Sequence, residues 1–75
     1  MSAYTELMLF TVQFEQEVDG RWIAEVDQLP GVLSYGGSRS EAFARVQALA
    51  LRVVADRIEH GEYLPSDATY RFEAA

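Results

Sequence analysis

The first stretch of the chain alternates between apolar and polar side chains. Over residues 7–17, the even-numbered positions from Met8 to Phe14 are apolar and the odd-numbered positions from Thr11 onward are polar. A period of two is typical of a strand with one buried face, so this stretch predicts a strand. Leu7 and Leu9 depart from the pattern, because they put apolar groups on the otherwise polar side.

A hairpin is predicted after this strand, since Asp19-Gly20 is a turn signal. A three-residue loop over 18–20 brings the two apolar faces together, with Phe14 opposite Ala24. A two-residue loop would instead set Phe14 opposite a glutamate and mix the faces. The longer loop predicts a left-handed Gly20 in a G1 bulge and a second strand over about 21–27.

The predicted hairpin also makes two local predictions. Its register sets Glu17 opposite Arg21, which predicts a cross-strand ion pair. It places Trp22 on the apolar side, where core packing is the commoner fate of an aromatic and an interface anchor the rarer one.

A segment rich in glycine and proline separates the hairpin from the rest of the chain. Leu29-Pro30-Gly31 should end the second strand, because proline donates no ladder hydrogen bond. Residues 32–35 predict a short third strand. Gly36 and Gly37 are expected to supply positive φ where the chain turns.

A long helix is predicted to begin after Ser38. Ser38 and Glu41 fit a capping box, in which the serine accepts from the amide of Glu41 and the glutamate reaches back to the amide of Ser38. The helix should run to about His60, with Gly61 as the left-handed residue after its end. Glu41 and Arg45 should form an i,i+4 pair. An apolar stripe at helical spacing supports the helix: Ala42, Phe43, Val46, Leu49, Ala50, Val53, Val54 and Ile58.

These elements predict a single α+β domain over residues 1–75 with the order β-β-β-α-β. Residues 69–73 supply the last short strand. We expect a three-stranded antiparallel meander, with the helix on one face and the last strand parallel to the first.

The net charge and the lack of cysteine argue against several classes of function for this chain. Twelve acidic and six basic residues give a net charge of −6, and cysteine is absent. An acidic surface repels phosphate, so direct nucleic-acid binding is not expected, whereas a basic protein partner is suited. The absence of cysteine excludes disulfides and thiolate metal sites. No apolar run long enough for a signal peptide or a membrane span is found, so we expect a cytoplasmic protein that binds no membrane.

No catalytic, cofactor-binding or metal-binding residue is predicted. His60 is the only histidine, and its position favours a helix-capping or solvated role. Glu15, Glu25 and Asp27 line the outer side of the predicted hairpin, which is usually a solvated face. A metal-dependent nuclease built on these carboxylates is the less favoured alternative.

The outer side of the hairpin is instead the predicted partner surface. On the predicted register, Leu7, Leu9 and Ile23 form an apolar patch there, near the three carboxylates, and such patches usually mark association. We expect a homo-oligomer, either a dimer or a tetramer, formed through this face or a sheet edge. The predicted surface comprises Leu7, Leu9, Glu15, Ile23, Glu25 and Asp27.

An ordered set of short motifs resembles the HicB-like antitoxin family. The segment "VDGRWIAEVDQLPGVLSYGGSRSEAFARV" followed by "HGEYLP" is similar to that family's pattern of DG-x-W-x-A, LPG, a glycine, a helix cap with EA, and GE-x-LP. The matching residues are Asp19, Gly20, Trp22, Ala24, Leu29, Pro30, Gly31, Gly36, Ser38, Glu41, Ala42, Gly61, Glu62, Leu64 and Pro65.

The resemblance implies a partly trimmed ribonuclease H-like fold and a binding role without catalysis. HicB-like domains neutralise HicA, a small basic toxin that cleaves mRNA, and the acidic charge here suits such a partner. Full antitoxins usually carry a C-terminal DNA-binding segment, and ten residues after Pro65 are too few for one. The chain therefore resembles the stand-alone N-terminal-type domain. The alternative is an oligomeric module that binds another ligand.

Overall fold

The computed structural model describes residues 7–62 and 69–75, which form four strands and one helix. Leu64 and Pro65, two of the residues that carry the family resemblance, lie outside the described residues. The strands are β1 (Leu7–Gln16), β2 (Trp22–Val26), β3 (Leu33–Gly36) and β4 (Thr69–Ala74), and the helix is α1 (Arg39–Glu59). The predicted β-β-β-α-β order is confirmed.

The strands form one mixed sheet in the order β3-β2-β1-β4. β1 and β2 are antiparallel, with Phe14 opposite Ala24 and Val12 opposite Val26. β2 and β3 are antiparallel, and β4 runs parallel to β1. The meander, the register and the parallel last strand are all as predicted.

The β1–β2 turn explains why this register is reached. Gly20 has a φ of 93°, a left-handed conformation that glycine adopts without steric cost. The amide of Gly20 donates to the carbonyl of Glu17 at 2.9 Å, and the amide of Glu17 donates to the carbonyl of Arg21 at 2.7 Å. The predicted Glu17–Arg21 ion pair is wrong: the Arg21 guanidinium bonds Asp19 Oδ2 at 2.8 Å, because that carboxylate is nearer along the turn.

The core lies between α1 and the inner face of the sheet. α1 packs mainly against β2 and β3. Its deeply buried residues recur every fourth position, as expected for the inward stripe of a helix. The fully buried side chains are aliphatic or aromatic, and no polar or charged side chain is buried among the described residues. The core comprises Phe10, Val12, Ala24, Val26, Leu29, Val32, Ala42, Val46, Ala50 and Val54.

The start of α1 is capped nearly as predicted. Ser38 Oγ accepts from the amide of Glu41 at 3.1 Å. Glu41 Oε1 accepts from the amide of Gly37 at 2.9 Å, rather than from that of Ser38, so the return bond is displaced by one residue. The Glu41–Arg45 ion pair is present at 3.4 Å.

Gly36 has a different role from the one predicted. Neither Gly36 nor Gly37 has a positive φ. Gly36 is buried where β3 meets α1, and a Cβ there would lie 2.9 Å from the Cα of Ala42. The glycine is required because two backbones approach closely, which the local sequence does not reveal.

α1 ends at Glu59, with His60 as the cap residue and Gly61 at a φ of 77°. His60 Nδ1 lies 2.8 Å from the carbonyl oxygen of Asp56. His60 is thus an exposed cap residue, which agrees with the expected capping or solvated role, and the left-handed Gly61 is confirmed. α1 has no stretch with the length and hydropathy required to cross a lipid bilayer.

Candidate binding surface

The sheet register places all six predicted partner residues on the face that points away from α1. Glu15 pairs with Ile23, and Gln13 pairs with Glu25. The amide of Asp27 donates to the carbonyl of Thr11 at 3.0 Å, which extends the β1–β2 ladder by one step. Side chains alternate along strands, so Leu7 and Leu9 share this face with Glu15.

The apolar members do not form the single patch that was predicted. Leu7 and Leu9 lie beside β4, where they pair with Thr69 and Arg71. Ile23 lies beside Glu15, six positions along β1 from Leu9, which corresponds to about 20 Å of strand. Polar and acidic side chains fill the space between them. The prediction placed the residues on the correct face but overlooked this separation.

Two further apolar residues accompany Ile23. Tyr35 pairs with Ile23, and Leu33 pairs with Glu25. Both side chains are about two-fifths exposed: 40% for Tyr35 and 39% for Leu33. Sequence reasoning did not place them on the outer face, because β3 has only four residues, too few for an alternation to show which face is outward. The available signal was Val32, which comes directly before the strand and is buried. Because side chains alternate along a strand, an inward Val32 sets Leu33 and Tyr35 outward.

We call this group the outer acidic surface: the carboxylates Glu15, Glu25 and Asp27 with the apolar Ile23, Leu33 and Tyr35. All three carboxylates are exposed. Within residues 7–62 and 69–75, Glu15 and Glu25 form no ion pair. Asp27 Oδ2 accepts one neutral hydrogen bond from Gln13 Nε2 at 3.0 Å. The negative charge of this surface is therefore not compensated by the described part of the chain.

Side-chain hydrogen bonds stiffen one border of the surface. The chain turns away from β1 after Asp27, and the side chain of Gln28 bonds Thr11 in place of backbone groups. Gln28 Oε1 accepts from the amide of Thr11 at 2.7 Å, and Gln28 Nε2 donates to Thr11 Oγ1 at 3.1 Å. The carboxylate of Asp27 is thus presented from a backbone that remains paired.

The β1–β2 turn forms the other border. Arg21 Cζ lies 4.8 Å from the centre of the Tyr35 ring, a cation–π contact. The pKa of Asp19 is lowered, chiefly because its carboxylate accepts from the amide of Arg21, with further contributions from the guanidinium of Arg21. This arginine is therefore held by Asp19 and does not neutralise Glu15, Glu25 or Asp27.

No group of three or more possible metal ligands occurs within residues 7–62 and 69–75. The three outer carboxylates lie along two strands and do not converge on one point.

A shallow groove on the opposite side of the molecule lies beside the start of α1. It is lined by Phe14, Ser38, Arg39, Ser40, Phe43 and Ala74. Arg39 Cζ lies 4.1 Å from the centre of the Phe14 ring, so the arginine covers the groove floor. Ser38 Oγ and Glu41 Oε1 already accept from two of the amides there, which is typical of a capped helix start.

Comparisons of the chain with protein-family models, with curated proteins and with solved structures gave no match.

Proposed function

We propose that this chain is a non-enzymatic protein-binding module, a HicB-like antitoxin domain that covers a basic mRNA-cleaving toxin. The observation that carries the proposal is the outer acidic surface, with three exposed carboxylates beside Ile23, Leu33 and Tyr35. The resemblance of the ordered motifs to the HicB-like family supports the same function. Its place of action is the cytoplasm, where its toxin and mRNA meet.

The arrangement suits a protein partner because it combines charge with apolar area. Protein interfaces typically have an apolar centre that excludes water and a polar rim. Here Ile23 lies between Glu15 and Tyr35, and Leu33 adjoins Glu25. Arginine and lysine side chains of a basic partner would meet the carboxylates while its apolar side chains cover the centre.

The same surface disfavours a nucleic-acid partner. Phosphate binding draws on clustered arginine and lysine, whereas the net charge here is −6. Arg21, whose guanidinium lies over the Tyr35 ring of this surface, is bonded to Asp19. In a toxin covered by this domain, the basic surface that binds RNA phosphates would instead contact the carboxylates, which are also negatively charged.

A growth-rescue assay tests the proposal. The chain is co-expressed with the small basic protein encoded beside its gene, and growth and co-purification are measured. We expect wild type to restore growth and to retain the toxin, and E25K/D27K to lose both. D56K/E59K on α1 is the matched control, because it makes the same charge change at two exposed positions away from the surface.

Three results would contradict the proposal. The first is the lack of any neighbouring gene for a basic chain of this kind. The second is a toxin that remains active and unbound in the presence of wild type. The third is equal rescue by E25K/D27K and wild type, which would move the contact away from the outer acidic surface.

A further inference from the structure

The two edges of the sheet differ in how available they are to another strand. β3 forms one edge and β4 the other. β3 has four residues, and its Tyr35 carbonyl already accepts from Arg45 Nη1 at 3.1 Å. β4 has six residues without proline, and no strand within residues 7–62 pairs with its outer side. Such an edge is a template for pairing with another chain.

The hydrogen-bonding groups on the open side of β4 are identified by its pairing with β1. The amide of Ala75 donates to the carbonyl of Val12 at 2.8 Å. Backbone groups of alternate residues point to alternate sides of a strand, so Arg71 and Glu73 also bond β1. The amides and carbonyls of Tyr70, Phe72 and Ala74 therefore point to the open side.

The side chains of β4 make this edge complementary to itself. Tyr70 and Phe72 share the inner face of the sheet, where both are partly buried against Phe10. Arg71 and Glu73 share the outer face and lie on either side of Phe72. When two antiparallel copies of β4 meet with Phe72 opposite Phe72, Arg71 of each copy lies opposite Glu73 of the other.

Neighbouring registers lack this complementarity. If the outer faces of both sheets are to stay on the same side, the nearest alternative registers are those that place Arg71 opposite Arg71 or Glu73 opposite Glu73. The first sets two arginines opposite each other and the second sets two glutamates, and like charges directly opposite are destabilising. In the Phe72-centred register, Tyr70 of each copy also exchanges hydrogen bonds with Ala74 of the other, so the outward groups of all three residues are paired.

We propose that β4 pairs with β4 of a second copy of this chain, antiparallel and centred on Phe72. The pairing joins the two four-stranded sheets into one continuous sheet. It brings the aromatic side chains of Phe10, Tyr70 and Phe72 from both copies onto the same inner face. The aromatic contacts already present within each copy, a tilted pair of Phe10 and Phe72 at 5.2 Å and a stacked pair of Phe10 and Tyr70 at 6.2 Å, would then continue across the interface.

This assignment goes beyond the proposed function and does not depend on it. The outer acidic surface lies on β1, β2 and β3, away from the paired edge, and both copies present it on the same side of the joined sheet. A dimer that binds no toxin, or a monomer that binds one, would separate the two proposals.

Charge reversal tests the pairing, with mass in solution measured by light scattering across micromolar concentrations. We expect wild type to be a dimer, and R71E and E73R each to raise the dissociation constant at least about tenfold, because each sets like charges opposite. R52E and E59R on α1 are the matched controls and should remain dimeric. Circular dichroism verifies that each variant is folded.

Arg71 and Glu73 also form an ion pair within one chain, at 3.2 Å, which each single variant removes. Mixing the two variants shows whether a loss of dimer comes from the contact between chains or from this internal ion pair. A copy of R71E opposite a copy of E73R again has opposite charges at both positions, so the equimolar mixture should recover the dimer as a heterodimer. A monomeric wild type, or a mixture that stays monomeric, would overturn the assignment.

Dimers that persist in both single variants would also overturn it. They would move the contact to another exposed apolar surface of the described chain, either the outer face of the sheet or the outward side of α1, whose exposed apolar residues are Ala44, Ala48, Leu51, Ala55 and Ile58.

Discussion

The two faces of the sheet contrast in what their side chains do. The inner face is aliphatic and aromatic, and its residues pack beneath α1 with no buried polar or charged side chain among the described residues. The outer face alternates carboxylates with partly exposed apolar side chains, and within residues 7–62 and 69–75 Glu15 and Glu25 form no ion pair. Folding therefore depends on the inner face, while the charge on the outer face remains available for a partner. Substitutions on the two faces should separate stability from binding.

The largest expected effect comes from adjacent residues of β1 that point to opposite faces. Phe10 is 3% exposed and contacts Tyr70 and Phe72, whereas Leu9 is 39% exposed. F10A should lower the free energy of unfolding by about 3–5 kcal/mol, because it removes a buried ring and leaves a cavity. L9A should change it by less than about 1 kcal/mol. Urea unfolding followed by circular dichroism measures both, and equal losses would remove the contrast between the faces.

The next effect concerns the junction of β3 with α1. G36A should lower the free energy of unfolding by about 1–3 kcal/mol, since a methyl group there overlaps the backbone of Ala42. G37A is the control, because a Cβ at Gly37 would meet only Glu41 Oε1, at an ordinary 3.8 Å. Thermal unfolding of the two variants provides the comparison. A G36A variant as stable as G37A would show that the two backbones separate at little cost.

A smaller effect is expected at the start of α1. S38A removes the acceptor for the amide of Glu41 and should lower the free energy of unfolding by about 1 kcal/mol. S38D keeps an acceptor at the same place and should retain wild-type stability. If S38D were as destabilised as S38A in urea unfolding, the cap would not be the reason for the loss.

The smallest effect concerns the turn between β1 and β2. The pKa of Asp19 is lowered, first by the amide of Arg21, so its folded form favours the carboxylate. A lowered carboxyl pKa contributes stability above the unfolded value of about 4, and that contribution is lost as the pH falls through the folded value. D19N should therefore lose slightly more stability at pH 7 than at pH 3. Unfolding midpoints at both pH values test this, and an identical loss at the two would exclude the carboxylate charge as its cause.

The strand register was predictable because only one loop length brings the two apolar faces of the hairpin together. The parallel β4 followed from the rules for connecting strands through a helix, and the capped start of α1 followed from Ser38 and Glu41. Other features depend on distances in space. The need for glycine at position 36 arises from α1, which lies above it in the fold. Arg21 bonds Asp19 because the turn brings that carboxylate closer than the cross-strand Glu17.

The candidate surface was predictable in part. The alternation of β1 and the hairpin register placed Glu15, Ile23, Glu25 and Asp27 on one face. Leu33 and Tyr35 were not placed there because β3 is too short to reveal its outward side. The separation of Leu7 and Leu9 from Ile23 follows from the staggered pairing of β1, whose first half contacts β4 and whose second half contacts β2.

The proposal that the outer acidic surface binds a basic toxin is tested most directly by the rate at which the chain associates with any small basic protein found encoded beside its gene. This rate is measured by stopped-flow fluorescence at low and high salt for wild type, E25K/D27K and D56K/E59K. At low salt, we expect E25K/D27K to associate on the order of tenfold more slowly than wild type, with the difference shrinking as salt is added. D56K/E59K should stay near wild type. Equal rates for E25K/D27K and wild type at low salt would contradict the account.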